Sequence, residues 1–343
     1  MSYGLVERKR QSSFRDSSPS ISTAARTPCD PKMQRNGHLL AVGYEVENLY
    51  DSLRRPGGAK DFFADRNIHW WRSSRSGDDT SVNGPTRNMA SSQIACLNFL
   101  LPLKDNAAAL TALLRSLAAG IRGVVPIRYV PHGSISGAQV DSLVDFEWIG
   151  EKAPLEQGAG YTRGEHATSV DALLIGKSAG GATAFLIEWK YVEEYEVGKY
   201  LGAGKPGATR LRRYSGMYSA PNSPFSGIAP VEELLYDPLY QIARLLLLGQ
   251  RMVQERELGV TDFRVVVVCP EANDDYRNRI TSPDLRKRFP NANSIEHVMR
   301  QVLRGPSIFV MTSPEKLLSE VRGSGAVAGL AAWSAYMRER YGW

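Results

Sequence analysis

Between residues 169 and 195 the chain reads SVDALLIGKSAGGATAFLIEWKYVEEY. Two apolar, β-compatible runs, 169–176 and 182–191, flank Gly180-Gly181, and so short a link predicts an antiparallel hairpin. Charges inside such runs need a reason. Asp171 stands at the start of the first strand, and Glu188 and Lys190 stand two apart on the second. The period of two puts Glu188 and Lys190 on one face and Trp189 on the other, and the hairpin brings Asp171 beside them. Burying a carboxylate and a lysine is costly without a partner or a purpose. Two converging carboxylates make a hard-oxygen site suited to Mg²⁺. A neighbouring ammonium can hold an attacking water or stabilise a phosphate. That is the equipment of metal-assisted phosphodiester hydrolysis. The plain alternative is a Glu188–Lys190 salt bridge at a sheet edge.

The rest of the chain arranges itself around this hairpin. Residues 88–103 and 107–119 have helical spacing, with Pro102 and Gly120 as stops. Residues 141–149 alternate as a strand. Residues 197–231 form a long Gly/Pro-rich connector that carries Lys199, Lys205, Arg210, Arg212 and Arg213 and no acidic residue. It is read as a flexible, phosphate-contacting loop, with Tyr200, Tyr214 and Tyr218 available to stack on bases. Residues 239–257 make the best helix, with Asp237-Pro238 as its N-cap and N1 pair. Residues 263–269 read as a strand buried on both faces. A helix at 294–303, a strand at 307–311 and a helical end complete the chain. The order suggests one α/β domain over residues 41–343 after a disordered basic tail, residues 1–40. That tail holds seven Lys/Arg against three Asp/Glu, so it carries most of the chain's net charge of +6. The folded part is nearly neutral, and nucleic-acid binding therefore rests on the basic connector rather than on net charge.

Several classes are excluded. The longest apolar runs fall far short of the ~20 residues of a membrane span, and the N-terminus lacks the apolar stretch of a signal peptide. Cys29, Cys96 and Cys269 are widely spaced, and the five histidines show no HxH or HExxH. A disulfide framework or structural zinc site is not expected, and the reading is a reduced, cytoplasmic protein without a membrane partner. Gly176-Lys177-Ser178-Ala179-Gly180 matches GxSxG, but it leads into a turn and a β-type run instead of the helix that a nucleophile elbow needs. The same residues end like a Walker A loop, again without the helix.

The segments SSQIACLNFL (91–100), SVDALLIG (169–176), LIEWKY (186–191), DPLYQIARLLLLGQ (237–250) and CPEAN (269–273), in this order, resemble the PD-(D/E)XK nuclease superfamily, and within it the PGN_0703-like group of restriction endonucleases. The resemblance covers roughly residues 40–315. It implies an α/β fold with a restriction-endonuclease-like core of helix, three-strand meander, helix and strand, here with extra helices at both ends. It implies that Asp171 and Glu188 bind Mg²⁺, with Mn²⁺ able to substitute, that the Trp189 carbonyl is a further ligand, and that Lys190 is catalytic. Glu147 on the first strand is a candidate third carboxylate, with Glu165 as its rival. Gln241 on the following helix matches a polar position of the family, and Gln93 on the first helix is a weaker candidate. Val170 stands where the superfamily's name has proline. The implied partner is DNA, RNA not being excluded, in a restriction or defence role. A cut through both strands would call for a homodimer. The rival reading is a non-catalytic nucleic-acid-binding module on the same fold.

Overall fold

The computed structural model describes residues 1–70, 84–132, 137–152, 154–156, 163, 167–325 and 329–343. Strands are numbered β1 (Gly123–Val125), β2 (Ile127–Tyr129), β3 (Val140–Ser142), β4 (Asp145–Trp148), β5 (Val170–Ser178), β6 (Gly181–Trp189), β7 (Val260–Val268) and β8 (Phe309–Thr312). The helices of eight residues or more are α1 (Tyr3–Ser17), α2 (Ser92–Leu100), α3 (Ala107–Leu117), α4 (Gly204–Tyr218), α5 (Leu239–Gln254), α6 (Ile295–Val302), α7 (Pro314–Gly323) and α8 (Ala331–Tyr341).

The predicted hairpin is the centre of a mixed sheet. β5 and β6 pair antiparallel from Ala172↔Ile187 to Ser178↔Gly181, and Gly181 turns the chain at φ +128°, where a Cβ would strike the Thr261 hydroxyl. β6 then pairs parallel with β7, and β7 parallel with β8. The parallel β6–β7 pair requires a crossover, and α5 supplies part of it. Gly249 lets α5 lie directly on β7, since a Cβ there would overlap the Phe263 ring. The outer edge of β5 is shared: β4 pairs with its first half and β1 with its second. Residues 141–149 are therefore not one strand. β3 joins β2 in a separate two-stranded ribbon, and only β4 enters the main sheet.

Alternation along the strands feeds two cores. Ala172, Leu174, Phe185, Ile187, Trp189, Val266 and Val268 pack with α2, α3, α7 and α8 on one side of the sheet. Leu173, Ile175, Ala184, Leu186, Val265 and Val267 pack with α5 and α6 on the other. The result is a sheet between two helical layers, as an α/β nuclease-like fold requires.

Two expectations need correction. Residues 1–40 are ordered: α1 buries Glu7, Gln11 and Phe14, and further short helices cover Thr23–Arg26 and Pro31–Arg35. Gln11 donates to the Arg340 carbonyl and to the Tyr191 hydroxyl, and Arg340 Nε donates back to Gln11. The serines and arginines that made the segment look unstructured are its solvent face and its caps. The connector 197–231 is likewise not an irregular loop: residues 204–218 form α4, the glycines and the proline within it notwithstanding. Its polar side faces solvent while Tyr214 and Tyr218 anchor it inward.

Candidate nuclease site

The site lies where β4, β5 and β6 end together. Between the pairings Phe146↔Ala172 and Trp148↔Val170, Glu147 falls opposite Asp171. One step beyond Ala172↔Ile187, Asp171 falls opposite Glu188. Glu147, Asp171 and Glu188 thus form a row across three adjacent strands. Glu147 adopts a left-handed φ of +50°, an uncommon conformation for glutamate.

Each acid is held differently. Asp171 Oδ2 accepts the backbone N–H of Trp189 at 2.6 Å. Glu188 Oε1 pairs with Lys190 Nζ at 2.6 Å, and both side chains are buried. Glu147 accepts from Gln93 Nε2 at 2.9 Å and from Ser169 Oγ at 2.8 Å, so both of its oxygens are engaged. Lys190 Nζ also donates to Gln241 Oε1 at 2.8 Å, and the Tyr195 hydroxyl donates to the same oxygen at 3.3 Å. Gln93 comes from α2 in one helical layer and Gln241 from α5 in the other, so the row is clasped from both sides.

Burial and the adjacent Glu188 carboxylate push the Asp171 carboxyl well above the ordinary range, against the pull of Lys190. Burial also raises Glu147, opposed by the hydrogen bonds from Ser169 and Gln93. Burial draws the Lys190 ammonium down, but Glu188, joined by Tyr195, Tyr276 and Glu193, outweighs it and holds the lysine well above its ordinary value. The Cys96 thiol on α2 is raised by burial and then by Asp171, Glu147 and Glu188.

Sequence reasoning missed several groups here. Asp237 does not cap α5, whose N-cap Pro238 has no side-chain hydrogen bond. Burial raises the Asp237 carboxyl, and Lys190 and Arg244 beside it lower it. Asp237 is therefore part of the charge cluster around Lys190. Tyr195 and Ser169 also belong to the site; neither carried a signal beyond its nearness to the motif in sequence.

Of the five basic residues of the connector, Lys199, Lys205 and Arg212 are exposed. Arg210 is half-buried, donates to the Leu201 carbonyl and lies over the Tyr240 ring. Arg213 lies 3.9 Å from Glu156. Tyr214 and Tyr218 are buried and donate to Glu156 and to the Ala229 carbonyl, so neither presents a face to a base, whereas Tyr200 is exposed. Glu165 lies outside the described residues. Ser178 ends β5, and its hydroxyl serves the hairpin turn, donating to Gly181 O and accepting from Gly180 N. The chain passes from it into β6 rather than into a helix, which removes the nucleophile-elbow reading.

Among the described residues, no three or more His, Cys, Asp and Glu side chains are gathered into a ready metal cage. The donor set nevertheless suits Mg²⁺, which commonly takes one or two carboxylates and retains several waters. The row holds three carboxylates against one paired lysine, and the resulting excess of buried negative charge is what a divalent cation would offset. Among the described residues, no helix is long and apolar enough to cross a membrane.

Comparison with known proteins gives one family. The model of the family described as "Restriction Endonuclease associating with ARP" matches residues 10–342. Neither the curated proteins nor the solved structures compared with the chain gave a match. The match runs from within α1 through α8, and the chain is a member of this restriction endonuclease family.

Proposed function

We propose that this chain is a Mg²⁺-dependent endonuclease of the PD-(D/E)XK type that hydrolyses DNA phosphodiester bonds in a restriction or defence role. The observation that supports it is the row Glu147–Asp171–Glu188 with Lys190 beside it, at the end of a sheet in a restriction endonuclease family member. Asp171, Glu188 and the Trp189 carbonyl would hold the ion, with Mn²⁺ able to substitute. When bound, the ion supplies Lewis-acid polarisation of the phosphate and lowers the pKa of water. Asp171 is set for its role by the Trp189 N–H. Lys190, kept charged by Glu188 and oriented by Gln241, steadies the attacking water and the negative charge on phosphorus. Glu147, with both oxygens engaged, shapes the field of the row. Lys199, Lys205 and Arg212 neutralise backbone phosphates flanking the cut. The family's description has its members associating with ARP, and we extend that association to this chain.

The test is cleavage of supercoiled and linear DNA, and of RNA, with Mg²⁺, with Mn²⁺ and with chelator. Cleavage of DNA that needs the metal, and is lost in Asp171→Ala, Glu188→Ala and Lys190→Ala while folding persists, is expected. Cleavage by any of these variants at the parent's rate, or no cleavage of either nucleic acid, would overturn the reading.

A further inference from the structure

α5 carries a second group toward the site. Arg244 lies three residues after Gln241, on the same side of the helix. It is half-buried, and its Nε is fully buried with no hydrogen-bond partner. Among the described residues its guanidinium makes no hydrogen bond or ion pair, and it lies over the Tyr240 ring, 4.8 Å from the ring centroid. Glu188, Glu156 and Asp237 all lie close enough to act on its charge or be acted on by it. A guanidinium has five donors in a planar fork, and leaving them unused in a half-buried place is expensive. The other arginines near the sheet do not do this: Arg163 is bonded to Asp145 and the Phe146 carbonyl, and Arg340 to Asn48, Tyr336 and Gln11.

We propose that Arg244 is a substrate-binding residue that receives a phosphate of the nucleic-acid backbone at the site. The inference rests on the nuclease reading and adds to it the group that meets the substrate's negative charge. A phosphate offers two oxygens to the fork, and Arg suits such bidentate contact better than Lys. The acidic row repels a phosphate, so a cation beside it is needed to bring one in. Tyr240 holds the guanidinium plane from one side, and Arg210 lies on the same ring at 5.5 Å.

The experiment uses the cleavage-impaired Asp171→Asn chain as parent, with Arg244→Met and Arg244→Lys added separately. DNA affinity is read by fluorescence anisotropy against salt concentration, and thermal unfolding is read alongside. Arg244→Met should weaken DNA binding at low salt at least tenfold and lower the slope of log K against log salt by about 0.9, the value of one duplex phosphate contact. Its melting temperature should change little, since burial disfavours the guanidinium while Tyr240, Tyr214, Glu156 and Glu188 around it favour it. Arg244→Lys should keep the slope and lose part of the affinity. An unchanged slope in Arg244→Met, or a large fall in melting temperature in both variants, would make Arg244 a packing residue and overturn the inference while leaving the nuclease reading intact. Full cleavage by the Asp171→Asn parent would overturn the nuclease reading, and a lowered slope in Arg244→Met would then still support phosphate binding. A parent that binds no DNA overturns both.

Discussion

The Asp171 carboxylate accepts the Trp189 N–H at 2.6 Å, so the acid of one strand is tied to the peptide that separates Glu188 from Lys190 on the next. Any shift of β6 along β5 would move all three residues together. Asp171 is raised by burial and by Glu188, and Glu147 by burial. A carboxyl raised in the folded state binds more protons there than in the unfolded chain. Stability must then fall as pH rises from about 4 through the raised folded value.

Asp171→Asn removes the most strongly raised of these acids. Without divalent metal, its melting temperature should exceed the parent's by several degrees near pH 8, and the two should converge toward about pH 4, where the parent's Asp171 is protonated. Calorimetry across that range reads both. Saturating Mg²⁺ should stabilise the parent at pH 8, by about 2.7 kcal/mol at one hundred times its dissociation constant, and should leave Asp171→Asn nearly unmoved. A parent that is equally stable at both pH values would contradict the crowding of charge in the row.

Lys190→Met breaks a buried ion pair and strands Glu188. The expected cost is about 3–5 kcal/mol of unfolding free energy. Adding Glu188→Gln should recover most of that stability and none of the cleavage. Denaturant melts of the single and double variants measure the coupling directly. If the double variant is no more stable than Lys190→Met, the pair is not what holds the lysine.

The basic surface divides by burial. Charge reversal of Lys199, Lys205 and Arg212, all exposed, should weaken DNA binding and flatten its salt dependence with little effect on folding. Arg213→Ala and Arg210→Ala should act the other way, lowering stability through Glu156 and the Leu201 carbonyl and moving the salt slope less. Anisotropy titrations at three salt concentrations, run beside thermal melts, separate the two groups.

Gln11→Ala leaves Arg340 Nε and the Tyr191 hydroxyl short of a buried partner. A loss of about 1–3 kcal/mol is expected, read as a lower denaturant midpoint. A change within error would mean that α1 is only loosely attached.

The features legible before folding were local. The β5–β6 hairpin, with Asp171, Glu188 and Lys190 upon it, comes from a period of two and a glycine turn, both contained in one short stretch. β7 announced itself by a nearly unbroken apolar run and α5 by its Leu-rich helical pattern, and Gln241 was singled out by the family resemblance. The features that stayed hidden depended on distant partners. α1 is polar enough to look unstructured, and only Tyr191 after β6 and Arg340 on α8 explain why Glu7 and Gln11 are buried. α4 contains Gly204, Pro206, Gly207 and Gly216, and its helix stands because Tyr214 and Tyr218 find Glu156 and Ala229. Arg244 looked like any polar residue on an amphipathic helix. Its lack of partners is visible only once its neighbours are in place.

The bonds between α1 and α8 join residues 329 apart in sequence, while those of the β5–β6 hairpin join near neighbours. During synthesis the hairpin can close early, but Gln241 reaches Lys190 only after α5 has emerged and β7 has taken its place along β6. Gln11 must wait still longer, until Arg340 exists. A nascent chain therefore carries the acidic row before it carries Gln241, and its first helix is the last of these parts to dock.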